Sequence, residues 1–338
     1  MKNSFNKKIL EKAYEWMKDN QKIVMITVVE TWGSSPSPIG SKMIVNENKG
    51  FFGSVSGGCV ESFIIQESLE IIKKNDLFKI KNFKVSNDDA WNVGLSCGGE
   101  ITVYLERINS KKKTLNKIIQ KKKKKLEFAL LTNLSTGENE IFENGKPLNE
   151  NFKKFIDQIN FYYKSKKNGI IKNSNIFLEC YNNPVKVIII GGVHIAQYLT
   201  DFADKFDFEI YIIEPRSYFG TKERFRNIKV INEWPDKAFK KIETNCNCAL
   251  VGLTHDPKID DPALQYALKK KFFYIGALGS KKTHKKRCDR LKKAGFTQAQ
   301  INSIHGPIGI KLGGKSSPEI ALSIIAQLVN EIYKNKLL

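Results

Sequence analysis

The pattern of hydrophobic and polar positions changes near the middle of the chain, and its N-terminal part mixes helical with strand-like spacing. Apolar residues recur at helical intervals over 5–19 and 59–74, which predicts two amphipathic helices. Apolar, β-branched runs at 22–31 and 100–107 predict strands, and two more strands are expected around a turn at 46–50. Helices mixed with hairpin strands in this way predict an α+β domain.

A lysine-rich segment, 111–125, follows and contains nine lysines and no acidic residue. Such a run is typical of a solvated helix or an exposed connection, and a surface that binds polyanions is the alternative. A hairpin is expected over 127–150, and Asn182-Asn183-Pro184 marks a boundary. We therefore predict two domains, 1–182 and 183–338, with the lysine-rich connection inside the first.

The C-terminal part alternates continuous apolar runs with helical stretches. The runs at 185–192, 208–214, 246–253 and 272–277 have the composition of strands that are buried on both faces of a parallel sheet. Strands that alternate with helices predict a doubly wound parallel sheet. The predicted fold class is α/β, with an N-terminal α+β domain followed by a Rossmann-like C-terminal domain.

The first strand of this domain ends in a sequence similar to a dinucleotide-binding fingerprint. Gly191 and Gly192 lie between the strand and a predicted helix, and Glu214 ends the next strand, where a ribose-binding acid would lie. A pyrophosphate approaches the backbone at a second glycine of the fingerprint, and that position is Val193 here. Its side chain would crowd a phosphate, so the pattern favours a Rossmann-type domain but weakens the prediction of NAD(P) binding.

Two cysteines have mirrored glycine contexts, Gly57-Gly58-Cys59 and Cys97-Gly98-Gly99. Both lie at breaks between predicted elements, and glycine lets a ligand approach the backbone closely. Cys59 is expected to open the helix over 59–74, where the helix dipole favours a thiolate, although Glu61 would oppose that effect. We predict that the two thiols lie near each other in one cleft. The alternative is that they are small buried hydrophobic residues.

Three loops of the C-terminal domain are expected at the carboxyl ends of parallel strands, where ligands bind in such sheets. They contain Thr254-His255-Asp256, Gly279-Ser280 and His305-Gly306. The second loop precedes a helix, 281–293, with eight basic residues and one acid, and the N-terminus of that helix is suited to a phosphate. His255 is a candidate acid–base group or a structural loop residue. The four histidines have no zinc spacing, so no metal site is predicted.

Composition and charge exclude several classes of protein. The 338 residues are 41% hydrophobic and include six cysteines, which is too few for a disulfide scaffold. No apolar run is long enough to span a membrane, and no signal peptide is recognised, so a cytoplasmic protein is expected. The net charge of +21 suggests nucleic acid binding, but only six of the 56 basic residues are arginine. Lysine-rich solvated surfaces are therefore favoured over a nucleic-acid interface.

Several motifs, in order, resemble the XdhC/CoxI family of accessory proteins for xanthine and carbon monoxide dehydrogenases. They are VVETWGSSPSPIGSKMIV, GSVSGGCVE, CGGEITVYLE, VIIIGGVHIAQYL, LTHDP, YIGALGSKKTH, IHGPIG and SSPEIALSI. The resemblance implies a maturation factor that binds molybdenum cofactor (molybdopterin) as cargo, supports its sulfuration and delivers it to the dehydrogenase. It therefore implies an insertion chaperone more than a turnover enzyme. An apo-molybdenum hydroxylase and a cysteine desulfurase are the implied partners.

The resemblance also carries over candidate cofactor-binding residues. In the first domain Cys59 and Cys97 become the first choice for handling sulfur. The other carried-over residues are Ser56, Gly57, Gly58, Glu61, His255, Asp256, Gly279, Ser280, His305 and Gly306. The alternative function is an NAD(P)-dependent oxidoreductase that uses Glu214. The client enzyme, the nucleotide form of the cofactor and the oligomeric state, a homo-oligomer among the alternatives, are left open.

Overall fold

A computed structural model describes residues 2–33, 37–58, 60–83, 99–206 and 208–335 of the chain. These residues fall into two compact units that divide between Asn183 and Pro184. In the part of the chain that is described, no helix is long and apolar enough to cross a membrane.

The first sheet of the N-terminal unit has five antiparallel strands in the order β3-β2-β1-β5-β4. Apolar side chains of helix α2 pack on one face of this sheet and those of helix α1 join a second cluster that includes Ile23 and Ile44. The elements of this layer are α1 (Lys2–Lys18), β1 (Ile23–Trp32), β2 (Lys42–Asn46), β3 (Phe51–Gly53), α2 (Glu61–Lys74), β4 (Phe78–Phe83) and β5 (Glu100–Arg107).

The lysine-rich segment forms a helix, α3 (Lys112–Lys123). Its lysines are mostly on the surface, but Leu115, Ile118 and Ile119 are buried against α1 and the first sheet. The spacing of these three residues places them on one side of the helix. The helix is therefore amphipathic, and its solvated face accounts for the lysine run.

A second antiparallel sheet completes the N-terminal unit, with strand order β7-β6-β9-β8. Its core contains Phe142, Phe152 and Ile159, which come from a strand and two helices. The elements are β6 (Phe128–Asn133), β7 (Asn139–Phe142), α4 (Glu150–Lys153), α5 (Ile156–Lys164), β8 (Gly169–Ile170) and β9 (Ile176–Tyr181). The two strands of the predicted hairpin, β6 and β7, and the later strands β8 and β9 thus belong to one small sheet.

The C-terminal unit is a six-stranded sheet in which every strand pair is parallel. The strands are β10 (Val185–Ile190), β11 (Phe208–Ile213), β12 (Lys229–Ile231), β13 (Cys248–Gly252), β14 (Tyr274–Ala277) and β15 (Ile304–His305). They lie in the order β12-β11-β10-β13-β14-β15, which is the Rossmann order. The predicted fold class is confirmed.

Helices cover both faces of this sheet, so alternate residues of its strands enter two different cores. Ile188 and Leu250 pack on one face, and Ile189 and Val251 pack on the other. The helices are α6 (His194–Ala203), α7 (Pro235–Ala238), α8 (Pro257–Lys269), α9 (Lys281–Lys293), α10 (Gln298–Asn302) and α11 (Ser317–Lys334). Ligands of such sheets bind beyond the carboxyl ends of the strands, where the order reverses between β10 and β13.

Candidate functional site

In the N-terminal unit, the glycine loop before α2 is organised around the carboxylate of Glu61. This carboxylate accepts five hydrogen bonds from the loop. The donors are the Ser54 hydroxyl (2.7 Å), the Val55 N–H (3.2 Å), the Ser56 N–H (3.0 Å), the Ser56 hydroxyl and the Gly58 N–H (2.9 Å). Glu61 is therefore a positioning residue that fixes the loop leading to Cys59.

The protonation state of Glu61 follows from these contacts. Burial alone would raise its pKa, but the hydrogen bonds from Ser56, Ser54 and Val55 outweigh burial and lower the pKa to about 2. Ser56 is 1% exposed, and its hydroxyl also accepts a hydrogen bond from the Val60 N–H at 3.0 Å. The carboxylate is ionised at neutral pH, and the five donors that it holds all belong to the loop before the helix.

The two glycines of this loop have left-handed backbone angles, with φ of +76° at Gly57 and +120° at Gly58. A Cβ added at either residue would lie in open space among the described atoms. Glycine is needed at these positions because of the backbone conformation, not because of crowding.

The predicted thiol pair cannot be placed, because Cys59, Cys97 and Gly98 lie outside the described residues. The prediction that the two thiols share a cleft stays a prediction. Gly99 is described and immediately precedes β5. The start of α2 differs from the expectation: the helix begins at Glu61, with Val60 as its N-cap, because the Glu61 carboxylate turns back to the loop.

In the C-terminal unit, Gly191 and Gly192 form the turn between β10 and α6, as the sequence predicts. Gly191 has φ of +104°, and a Cβ there would lie 2.6 Å from the Thr254 methyl group. Val193 is the N-cap of α6 and makes no side-chain cap. The turn thus brings the end of β10 against the loop that follows β13.

Glu214, the candidate ribose-binding acid, is fully buried at the end of β11. Its carboxylate accepts hydrogen bonds from the Gly192 N–H at 2.8 Å and from the backbone and guanidinium of Arg216 at 2.8–2.9 Å. Burial would raise the pKa of Glu214, but the hydrogen bonds from Arg216 and Gly192 lower it. Both carboxylate oxygens are therefore engaged within the fold.

Gly192 packs so closely that a side chain would not fit. A Cβ at this residue would lie 2.7 Å from the carbonyl oxygen of Phe219, which is a backbone atom. We expect Gly192→Ala to lower the free energy of unfolding of this unit by about 1–3 kcal/mol, because the backbone must move. Chemical denaturation measures the change. Gly252→Ala, whose Cβ would make ordinary contacts at 3.6 Å, is the matched control, and an equal loss in both variants would contradict the expectation.

The loop after β13 carries Thr254, His255 and Asp256. Asp256 caps α8 by accepting a hydrogen bond from the Lys258 N–H at 2.9 Å, which is a structural role. His255 is exposed and has a left-handed backbone with φ of +61°, which is uncommon for a residue with a side chain. Thr254 donates its hydroxyl to Asp260 at 2.7 Å.

The loops after β14 and β15 are also built from the predicted residues. Gly279 has φ of +136°, and Ser280 caps α9 by accepting a hydrogen bond from the Thr283 N–H at 3.1 Å. The ring of His305 stacks on Tyr274 with 4.9 Å between centroids, and burial lowers the pKa of His305. A side chain would not fit at Gly306, because a Cβ there would lie 2.0 Å from the His284 ring.

These loops lie along one edge of the sheet, because β10, β13, β14 and β15 are neighbouring parallel strands. A cavity of about 260 Å³ opens beside them, between α8 and α9. Its charged and titratable lining residues are His255, Asp260, Lys282, Lys286, Arg287 and Arg290. The C-terminal unit therefore presents a basic pocket at the edge of the sheet where ligands of Rossmann domains bind.

Models of known protein families match residues in both units. A family model described as the XdhC Rossmann domain matches residues 187–328, and one described as the XdhC and CoxI family matches residues 16–80. The chain belongs to the XdhC/CoxI family. Its Rossmann match contains the turn at Gly191 and the whole basic cavity, and its N-terminal match contains the loop held by Glu61.

Relatives of this XdhC/CoxI protein are similar over nearly the whole chain. An Escherichia coli K12 protein named molybdenum cofactor insertion chaperone PaoD is 26% identical over 95% of this chain and 87% of its own length. A Bacillus subtilis 168 protein, named as a probable subunit of xanthine dehydrogenase, is 23% identical over 93% of this chain and 94% of its own. A solved Bacillus halodurans structure named xanthine dehydrogenase has a TM-score of 0.77 and 23% identity, covering 96% of this chain and 95% of that one. This structural likeness shows a shared fold.

Sequence reasoning missed several of the residues that line the basic cavity from the helix side. Asp260 was not singled out, and α9 was considered for its N-terminus instead of for its lateral face. The available signal was arginine: two of the six arginines of this lysine-rich chain, Arg287 and Arg290, lie in α9. Arginine is favoured over lysine where a buried, geometrically fixed charge is needed.

Proposed function

We propose that this XdhC/CoxI protein binds molybdenum cofactor and acts in the maturation of a molybdenum enzyme of the xanthine dehydrogenase type. The observation that carries the proposal is the similarity, over 95% of the chain, to a protein named molybdenum cofactor insertion chaperone. The loop held by Glu61 supports it, because that loop precedes Cys59 in the sequence and the space at Gly57 and Gly58 is open among the described atoms.

The proposed roles follow from the chemistry of the cargo. Molybdopterin carries a dithiolene and a phosphate, and soft thiolates suit the molybdenum–sulfur end. Cys59 and Cys97 are the proposed thiolate groups, with Gly57, Gly58 and Gly99 giving access to the backbone. A molybdenum hydroxylase is the proposed client, and a cysteine desulfurase is the proposed source of sulfur. The protein is proposed to act in the cytoplasm as a carrier without turnover.

Co-expression tests this role. A xanthine dehydrogenase-type enzyme is produced with and without the chain in a host that makes molybdenum cofactor, and its molybdenum content per chain is measured. We expect a higher molybdenum content when the chain is present. Equal content in both preparations, with the chain folded and abundant, would contradict the proposal.

Dinucleotide binding is the second candidate, since the sheet has the Rossmann strand order. Against it, both oxygens of the Glu214 carboxylate are engaged by Gly192 and Arg216, and Val193 stands where the fingerprint has glycine. We expect calorimetry to detect no NADH binding in the micromolar range. Micromolar NADH binding without any affinity for molybdopterin would favour the oxidoreductase instead. The variant Val193→Gly then tests whether the valine side chain prevents NADH from binding.

A further inference from the structure

The cavity between α8 and α9 is strongly basic. Lys282, Lys286 and Arg290 occur at intervals of four residues, so one side of α9 faces the cavity with three cations. Arg290 is held by Asp261 in a bidentate pair, with N–O distances of 2.5 and 2.9 Å. Within the described residues, neither lysine forms an ion pair. The cavity therefore has two cations available to an anionic ligand.

A buried arginine lies in the wall of the same cavity. Arg287 is 2% exposed, and its Nη2 donates to the carbonyl oxygen of Leu278 at 2.7 Å. Its Nε has no hydrogen-bond partner among the described atoms. An unsatisfied donor on a buried guanidinium is costly, since the group has lost its water. The same burial lowers the pKa of Arg287.

A buried acceptor also lines the cavity. Asp260 is 2% exposed, and its Oδ1 accepts the hydroxyl of Thr254 at 2.7 Å. Its Oδ2 has no partner in the described parts of the chain. Burial raises the pKa of Asp260, and the hydrogen bond from Thr254 opposes that rise. Two residues that line the cavity thus carry one unsatisfied donor and one unsatisfied acceptor, both buried atoms of charged side chains.

We propose that this cavity binds a phosphate group, as inorganic phosphate or as a phosphate monoester. Both atoms are buried, so binding includes a small rotation of each side chain towards the cavity. The Arg287 Nε–H then donates to a phosphate oxygen, and Asp260 Oδ2 accepts the hydrogen of the phosphate's own P–OH group. Lys282 and Lys286 neutralise the remaining charge at the mouth. Inorganic phosphate fits this pair of opposite partners because it still carries a proton, as HPO4²⁻, after its second ionisation. A monoester, whose second ionisation lies near pH 6, fits it when bound as the monoanion. Sulfate has no such proton and would leave the carboxylate facing an anion.

The size of the cavity sets the extent of the ligand that it holds. About 260 Å³ is far more than one water molecule needs, and it is just below the roughly 300–1,000 Å³ of sites that enclose a whole small molecule. The cavity therefore suits the phosphorylated end of a ligand. The inference goes beyond the proposed function, because it concerns inorganic phosphate and simple monoesters and is tested without any molybdenum cofactor.

Calorimetry on the full-length protein at pH 7 tests the site with inorganic phosphate and, separately, with sulfate at the same ionic strength. We expect phosphate to bind at least about tenfold more tightly than sulfate, since an unpaired buried carboxylate opposes sulfate. Glycerol 3-phosphate, titrated in parallel, distinguishes the source of the phosphate. If it binds as well as inorganic phosphate, a phosphorylated small molecule is the ligand, whereas its exclusion identifies free phosphate.

Two variants locate the binding. Lys286→Ala is expected to weaken phosphate binding about threefold to tenfold, as the loss of a cation at the mouth does. Lys285→Ala is the matched control, because Lys285 is an exposed lysine of the same helix that does not line the cavity. Asp260→Asn is expected to reduce the preference for phosphate over sulfate to nearly one, since its amide becomes a donor.

Equal affinity for phosphate and sulfate in the unaltered protein would overturn the role of Asp260. Failure of both phosphate and glycerol 3-phosphate to bind at millimolar concentration, or equal losses in Lys286→Ala and Lys285→Ala, would overturn the site itself. The ratio of the affinities for phosphate and sulfate is measured on the unaltered protein. The role of Asp260 can therefore be contradicted even if Asp260→Asn fails to fold. Failure of the phosphate site would leave the proposed carriage of molybdenum cofactor untouched, because that proposal rests on the relatives and on the loop before Cys59.

Discussion

Replacing Cys59 by alanine is expected to lower the molybdenum and pterin retained by the purified protein by roughly tenfold or more. The reason is that a thiolate is the ligand type that suits the soft molybdenum–sulfur end of the cofactor, and loss of groups at a metal centre typically costs at least 10–100-fold in affinity. Metal analysis and pterin fluorescence, both expressed per protein chain, measure the loss. Cys97→Ala is expected to act in the same direction.

The control for Cys59→Ala is Cys246→Ala, which removes an exposed thiol from the other unit. That variant is expected to retain the cofactor fully. The free energy of unfolding is measured for both, because a cysteine that handles sulfur should contribute little packing. A loss of about 1 kcal/mol or more in Cys59→Ala, with unchanged cofactor content, would identify Cys59 as a core residue instead.

Glu61→Gln is expected to destabilise the N-terminal unit by about 3 kcal/mol at neutral pH. The lowered pKa of Glu61, about 2 against a usual value of 4.5, corresponds to that order of free energy. Glutamine keeps one acceptor oxygen, but its amide places a donor against the donors of Ser56 and Gly58. Urea unfolding of the two proteins at pH 7 measures the difference. Cofactor retention should fall as well, because the loop before Cys59 loses its anchor.

The pH dependence gives this prediction a second readout. A carboxyl group with a lowered pKa in the folded state stabilises the fold fully above its unfolded pKa, here about 4.5. That contribution is lost progressively as the pH falls towards about 2. The stability difference between the unaltered protein and Glu61→Gln should therefore be constant from pH 7 to pH 5 and shrink below pH 4.5.

Glu70→Gln on the same helix is the matched control for Glu61→Gln. Glu70 is exposed, and within the described part of the chain it pairs only with Lys74, one turn further along α2, at 3.3 Å. Exposed pairs of this kind contribute about 0.3–0.5 kcal/mol. Similar losses in the two variants would mean that the hydrogen bonds to the loop do not stabilise the fold as argued.

The sequence predicted the parallel sheet of the C-terminal unit well because strands buried on both faces are visible as continuous apolar runs. The turn at Gly191 was also visible in the sequence, since a left-handed backbone angle favours glycine. The structure of the lysine-rich segment was harder to predict. Its lysines predicted a solvated helix or connection, while the buried stripe of Leu115, Ile118 and Ile119 is too short to dominate the pattern.

Contacts between residues distant in sequence were beyond the reach of pattern reasoning. Nothing local shows that Asp260 and Arg287 line one cavity, because the two residues are brought together only when α8 and α9 pack on the sheet. The role of Glu61 was missed for a different reason. In the helix predicted over 59–74 it was expected to oppose the effect of the helix dipole on the Cys59 thiolate, whereas its carboxylate turns back to bind the loop behind it.

The central claim is that the chain carries molybdenum cofactor, and the metal and pterin content of the purified protein tests it most directly. The chain is produced in a host with an intact cofactor pathway and purified without chelators. We expect molybdenum and pterin in equal amounts, both absent when the host cannot make the cofactor and both reduced in Cys59→Ala. Folded protein that contains neither molybdenum nor pterin, from cells with a plentiful supply of the cofactor, would contradict the account.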